Sequence, residues 1–296
     1  MKPSLYQKKA THKGEVSTAQ PGHEADVGRT NRAVDGKGRG ASRPHQRFAA
    51  AVGRAHYRLW HKPNIPGGTV WTSRMTLIAI VGLILAAAAG TIDAAVTAFV
   101  RGSNAPWIGW MAYATDVGSS QWYLVPAAVI FLTAGFADWT RAGMRGRSRL
   151  AMLFGQAGFS FAAVALSGIL VNILKIFFGR ARPILFEQHG AYHFEPLSVG
   201  YAFASFPSGH STTVGAVTGI LILWYPRFTA LLVLAGLFFS ATRIAARAHY
   251  PSDVATGFLF GVLFTIALAR FLATRGVVFR LQDRRLLPSV IGLLKK

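Results

Sequence analysis

Three short stretches hold most of the residues able to do polar chemistry in an otherwise apolar part of the chain. They are Lys175-Ile-Phe-Phe-Gly-Arg-Ala-Arg182-Pro183, Pro207-Ser208-Gly209-His210 with Ser211, Thr212 and Thr213 following, and Arg243-Ile-Ala-Ala-Arg-Ala-His249-Tyr-Pro-Ser-Asp253. These residue types suit a phosphate group. Lys175, Arg182 and Arg243 could surround its three non-bridging oxygens, with arginine adding a bidentate grip. Backbone N–H groups around Ser208 and Gly209, at a helix start, would add dipole donors, and Gly209 lets the backbone come close. Two histidines fit an in-line displacement, one attacking phosphorus and the other protonating the leaving oxygen. Asp253 follows His249 by four residues and could hold the imidazole tautomer and stabilise its positive charge.

The elements that must position these groups are long apolar blocks. The chain has 296 residues, of which 52% are hydrophobic and only 15% charged, too few charges for an ordinary soluble protein of this size. Six apolar blocks, at about 75–92, 122–136, 150–174, 212–225, 228–241 and 254–272, alternate with short polar links. A helical span needs about 20 apolar residues, so the shorter blocks must extend into their flanks. The reading is an all-α integral membrane six-helix bundle. Only Pro226 and Arg227 separate the fourth and fifth blocks, which makes a tight hairpin. At a rise of about 1.5 Å per residue each leg travels about 22 Å. That returns Arg243 and His249 to the level of His210, where Lys175 and Arg182 end the third block.

The net charge of +21 admits nucleic acid as a partner, but its distribution points to a bilayer. With the N-terminus placed in the cytoplasm, 26 of the 32 Lys and Arg fall on the cytoplasmic side, which is a strong positive-inside bias. The six on the outer side are Arg101, Lys175, Arg180, Arg182, Arg243 and Arg247, and five of them lie in two of the clusters above. Snorkelling at span ends accounts for single cations, not for this grouping with two histidines and an aspartate. No nucleic acid is expected. The absence of cysteine excludes disulfides, a thiolate nucleophile and cysteine-ligated metal.

Residues 1–73 carry 13 Lys and Arg against four acids and read as a disordered basic cytoplasmic tail, with a short helix around Gln46 to Trp60. Its charge serves mainly to orient the protein, adhesion to anionic headgroups being the other reading. The first 30 residues hold no apolar core, so the stretch from Met75 is expected to act as an uncleaved signal anchor. Residues 74–273 form the membrane domain and 274–296 a second basic cytoplasmic tail. Trp107, Trp110, Trp122 and Tyr123 suit an outer interfacial belt. Gly215/Gly219 and Gly257/Gly261 have small-xxx-small spacing. The outer loop 184–206 contains Glu187, His189, His193 and Glu195, but Gly190 and Pro196 break the helix that a His-x3-His ligand pair would need. No metal is expected there, and headgroup contacts are. Asp93 and Asp116 read as helix caps or solvated loop residues.

At the three clusters the sequence resembles the type-2 phosphatidic acid phosphatases, lipid phosphate phosphatases that share a core with vanadium haloperoxidases. The family pattern is Lys-x6-Arg-Pro, Pro-Ser-Gly-His and Ser-Arg-x5-His-x3-Asp. Here it reads Lys175 to Arg182-Pro183, Pro207-Ser208-Gly209-His210, and Thr242-Arg243 to His249 and Asp253, with Thr242 keeping a hydroxyl where the family usually has serine. The resemblance covers about 75–272. It implies His249 as a nucleophile forming a phosphohistidine, Asp253 orienting it, and His210 as the acid for the leaving group. It implies Lys175, Arg182, Ser208, Gly209 and Arg243 as phosphate ligands, no cofactor, and a site at the outer, periplasmic face of a bacterial inner membrane with both termini cytoplasmic. The substrates it implies are phosphatidic acid, phosphatidylglycerol phosphate, undecaprenyl diphosphate or the 1-phosphate of lipid A. A phosphotransferase using the same intermediate, a haloperoxidase holding vanadate, and a non-catalytic anion- or lipid-binding membrane protein are the alternatives.

Overall fold

The structure is a computed structural model that describes residues 43–61, 68–282 and 285–291. Among these, ten α-helices follow one another: α1 (Pro44–His61), α2 (Ser73–Gly90), α3 (Asp93–Gly102), α4 (Pro106–Tyr113), α5 (Gln121–Phe136), α6 (Met144–Phe178), α7 (Phe186–His189), α8 (Gly209–Trp224), α9 (Thr229–Ala245) and α10 (Pro251–Thr274). Five segments are long and apolar enough to cross a membrane: α2, Pro106–Phe136, α6, Pro226–Ala245 and α10. The sixth expected span, α8, has 16 residues. That is about 24 Å of helix, short for a bilayer core. Its position explains the shortness. Most of its residues are buried, and it packs against α10, α9 and α6, so its neighbours rather than lipid surround it. By contrast α2 buries only Met75 and Ala86 and turns Leu77, Ile80, Leu83 and Leu85 outward, as a lipid-facing helix does. The bundle is therefore an integral membrane fold wound around α8.

Three helix ends set up the polar face. Helix α6 stops at Gly179, whose φ of 56° lies in the left-handed region and whose N–H donates to the Lys175 carbonyl at 2.8 Å. That fixes Lys175 in the last turn. Helix α8 starts at the Ser208 N-cap, whose Oγ accepts from the Ser211 N–H at 3.3 Å. Helix α10 starts at Tyr250, with Pro251 in its first turn and Asp253 accepting the Tyr250 N–H at 3.0 Å. The four glycines with small-xxx-small spacing form the seam between α8 and α10. A methyl group on Gly257 would run into the Ser208 carbonyl oxygen, and one on Gly261 into the Thr212 carbonyl oxygen. The seam thus holds the starts of α8 and α10 against each other.

Of the two terminal segments, the described parts are ordered. Residues 44–61 form α1, where a short helix is anticipated. Phe48 and Ala51 pack it on Phe131, Ala134 and Phe154, and Arg47 pairs with Asp138 at 3.2 Å. Beyond α10, strands β1 (Phe279–Arg280) and β2 (Ser289–Val290) pair antiparallel. Phe279 is buried, edge-on to Phe159 at 4.7 Å. The apolar residues Val278, Phe279 and Leu287 give this segment a face to bury, which its basic composition conceals. The rest of the expected N-terminal tail, 1–42 and 62–67, lies outside the described residues. Trp107, Trp110 and Trp122 are exposed.

Candidate active site

Six of the eight predicted site residues meet on the wall of one cavity of about 520 Å³: Lys175, Arg182, Gly209, His210, Arg243 and His249. They come from four parts of the chain. Lys175 ends α6, Arg182 lies in the link that follows, Gly209 and His210 begin α8, and Arg243 and His249 lie at and beyond the end of α9. The hairpin of α8 and α9 does return Arg243 and His249 beside His210. The same cavity is also lined by Leu124 of α5 with Val164, Ala165 and Ile169 of α6. One cavity therefore offers both cations and apolar surface.

The remaining two residues stand behind the wall. Asp253 is fully buried. One carboxylate oxygen, Oδ2, accepts from the Ser205 hydroxyl at 2.6 Å and the Tyr250 N–H at 3.0 Å, and lies 3.6 Å from His249 Nδ1. The other oxygen accepts from Arg180 Nη1 at 2.6 Å. His249 Nδ1 thus faces the carboxylate, and its other ring nitrogen is left for the cavity. Ser208 is buried as well. Its N–H donates to the Asp253 carbonyl at 3.1 Å, and its Oγ accepts from the Ser211 hydroxyl at 2.9 Å. So one of the backbone donors expected for phosphate is already engaged. The N–H groups of Gly209 and His210, in the first turn of α8, have no acceptor within the helix.

Burial pushes the His249 pKa down to about 4, reinforced by Arg182 and Lys175 and opposed by Asp253. The imidazole is therefore neutral and a competent nucleophile at neutral pH. Three buried nitrogens around the cavity have no hydrogen-bond partner among the described residues: Arg182 Nε, Arg243 Nε and His249 Nδ1. Native structures seldom leave such donors unpaired, and two guanidinium N–H groups at one cavity call for an anion. Each guanidinium is also anchored. Arg182 Nη2 donates to the Ala204 carbonyl at 3.2 Å and its plane lies over the Tyr201 ring at 3.9 Å. Arg243 Nη1 donates to Thr115 Oγ1 at 3.0 Å, and Thr242 Oγ1 is 3.4 Å from the same oxygen. His210 Nε2 is 3.4 Å from the Ser119 hydroxyl.

Sequence reasoning missed several supporting residues. Asp93, expected as a cap or a solvated group, is fully buried and paired with Arg180 at 2.8 Å. It does cap a helix, but α10 rather than its own, accepting the Ser252 N–H at 3.0 Å. Arg180 had only been placed on the outer side, yet it joins Asp93 to Asp253. Asp93 carried one usable signal, a lone acid within an apolar stretch. Ser205, Thr115, Ser119 and Tyr201 carried none. In the outer loop, Glu187 pairs with Arg101 at 3.3 Å, while His193 pairs with Glu195 at 3.0 Å and stacks on His189. The four groups do not converge, and among the described residues no set of three or more His, Asp or Glu is placed to hold a metal.

Fold and site together define an integral membrane enzyme built to handle a phosphate group. Comparison with known proteins sharpens this. A model described as the PAP2 superfamily matches residues 156–276. A lipid A 1-phosphatase of Rhizobium johnstonii is 37% identical over 167 residues, covering 56% of this chain and 68% of that protein. A lipid A 1-phosphatase of Rhizobium etli is 34% identical over 182 residues, covering 60% of this chain and 78% of that protein. Among solved structures, a transmembrane PAP2-type phosphatidylglycerolphosphate phosphatase from Bacillus subtilis is 24% identical, with a TM-score of 0.44, covering 67% of this chain and 94% of that one. The chain belongs to the PAP2 superfamily, and it is a membrane phosphatase.

Proposed function

We propose that the protein removes a phosphate from a membrane lipid at the outer face of a bacterial inner membrane, through a phosphohistidine on His249. The observation that carries this reading is the single cavity in which His249, backed by Asp253, faces three cations. Phosphate enters with its non-bridging oxygens toward Lys175, Arg182, Arg243 and the N–H groups that open α8. His249 attacks phosphorus through the nitrogen turned away from Asp253, forming the N–P bond as the bond from phosphorus to the lipid oxygen breaks. His210 gives that oxygen its proton. Water then attacks the phosphohistidine, His210 takes the proton back, and inorganic phosphate and free His249 result. Ser208 supports the cradle from behind by capping α8.

The apolar wall of Leu124, Val164, Ala165 and Ile169 supports an amphiphilic substrate. Two similar proteins are lipid A 1-phosphatases, which favours the 1-phosphate of lipid A over phosphatidic acid, phosphatidylglycerol phosphate and undecaprenyl diphosphate. The positive-inside distribution supports cytoplasmic termini and a periplasmic site. A panel of these four lipids, incubated with the purified protein and followed by phosphate release and product mass spectrometry, tests the reading. Dephosphorylated lipid with free phosphate is expected, fastest for lipid A. Phosphate moved onto a second lipid would replace hydrolysis with transfer. Full activity of His249→Ala would remove the covalent mechanism.

A further inference from the structure

Behind the catalytic cavity, Arg180 is held by two carboxylates at once. Its Nη1 donates to Asp253 at 2.6 Å and to Ser252 Oγ at 2.7 Å. Its Nη2 donates to Asp93 at 2.8 Å, and both Nη2 and Nε donate to the Ala191 carbonyl, at 2.6 and 3.1 Å. The ring of Tyr250 covers the guanidinium at 4.4 Å. Asp93 in turn accepts the Ser252 N–H at 3.0 Å and the Ser252 hydroxyl at 2.5 Å. Burial works against the Arg180 cation, but Asp253 and Asp93 outweigh it and raise its pKa.

We infer that Asp93 and Arg180 form a positioning unit for the nucleophile, acting on His249 through Asp253. The charge count gives the reason. One cation between two buried carboxylates leaves the cluster with one negative charge. With Asp93 absent, Arg180 would neutralise Asp253 one to one. With Asp93 present, Arg180 is shared, and Asp253 keeps negative charge on the oxygen that faces His249 at 3.6 Å. That charge stabilises the imidazole as it becomes positive in attacking phosphorus. The fork also fixes the carboxylate from the side opposite the histidine, which a flexible ammonium could not do. Neither Asp93 nor Arg180 lines the catalytic cavity. Both line a separate cavity of about 360 Å³, with Leu83, Phe178 and Phe206. Their side chains therefore stand outside the catalytic cavity, and the chain of side-chain contacts from them to His249 runs through Asp253. Asp93 stands on α3, outside residues 156–276 that the superfamily model matches, so half of the unit is supplied from beyond that matched region.

The inference rests on His249 being the nucleophile, and a double-mutant cycle separates the two ideas. Purified full-length wild type, Asp93→Asn, Asp253→Asn, the Asp93→Asn/Asp253→Asn double variant and His249→Ala are compared for phosphate release from dioctanoyl phosphatidic acid in detergent micelles. Asp93→Asn is expected to lower kcat at least tenfold with KM changed less than twofold. On the Asp253→Asn background the same substitution is expected to change kcat less than twofold, because its path to His249 is already cut. Equal losses on both backgrounds, a KM effect without a kcat effect, or no effect would overturn the inference. Should Asp93→Asn fail to fold, Ser252→Ala decides, since its hydroxyl links Asp93 to Arg180. A threefold or larger fall in kcat at constant KM is expected, and an unchanged kcat overturns the unit. His249→Ala activity equal to wild type would instead defeat the catalytic reading itself.

Discussion

The contact between Gly257 of α10 and the Ser208 carbonyl lets a single methyl group test how the site is held. In Gly257→Ala the new Cβ would overlap that carbonyl oxygen, with the Ser208 carbonyl carbon and nitrogen both at 3.2 Å. Reaching ordinary contact at about 3.5 Å requires the start of α8 to retreat by about 1 Å. Two effects on stability oppose each other. Alanine favours the helix by about 1 kcal/mol over glycine, while overpacking against backbone costs about 1–3 kcal/mol. The net loss is modest. The functional loss is larger, because Ser208 caps α8 and its N–H ties it to the Asp253 carbonyl at 3.1 Å. A displacement of about 1 Å between Gly209, His210 and the cations misplaces the phosphate, and such an error costs about a hundredfold in rate. The assay is kcat for phosphate release from a short-chain lipid phosphate, beside a thermal melt. Gly102→Ala, where the added methyl meets nothing within 4 Å, is the control. A Gly257→Ala enzyme within threefold of wild-type kcat would refute the idea that the α8–α10 seam sets the geometry of the cradle.

Three further outcomes are expected. Attack requires neutral His249, and its pKa lies at about 4, so the histidine's contribution is lost only as pH falls through that value. Because His210 must carry a proton to serve as the acid, kcat/KM should not fall between pH 7 and about 5 after correction for the substrate's own ionisation, and a loss of activity on acidification centred at the ordinary histidine value of about 6.5 would contradict the buried, cation-flanked setting of His249. Arg182→Lys keeps the charge but loses the free Nε donor and the stacking on Tyr201, so kcat/KM should fall about tenfold to a hundredfold, from about 1.5–3 kcal/mol for a charged hydrogen bond. At the other end of the bundle, buried Arg270 donates to the carbonyls of Thr69, Val70, Arg285 and Leu286. Arg270→Ala should lower stability by about 1–3 kcal/mol in a thermal or denaturant melt while leaving the kcat of the folded enzyme unchanged.

Much of the site was legible because reactive residue types stood out against an apolar background. A lysine, two arginines and two histidines at span ends are costly there and so announce a purpose. The rise per residue of the helical hairpin was enough to bring Arg243 and His249 back to His210 without knowledge of any side-chain packing. Helix lengths were less legible. The fourth block was too short for a span, and nothing in its composition shows that α8 is enclosed by α6, α9 and α10 and need not match the bilayer. The segment after α10 looked like a basic tail because charge dominates its composition, yet Phe279 is buried against Phe159.

What the sequence determined by itself is a set of polar residues suited to phosphate, their order, and their shared place at the same ends of the apolar blocks. Those follow from residue chemistry and helical geometry, which are local. What only the tertiary structure decided is who supports whom. Asp93 lies 87 positions from Arg180 in the chain but 2.8 Å from it in space. Ser208, grouped by sequence with the phosphate ligands, turns out to face Asp253 and Ser211 instead of the cavity. Buried polar groups must find partners wherever the fold brings them, and the strength of that requirement grows as water is excluded. Such pairings leave no periodicity and no spacing to read, so they become visible only once α3, the outer loop and α10 are packed together.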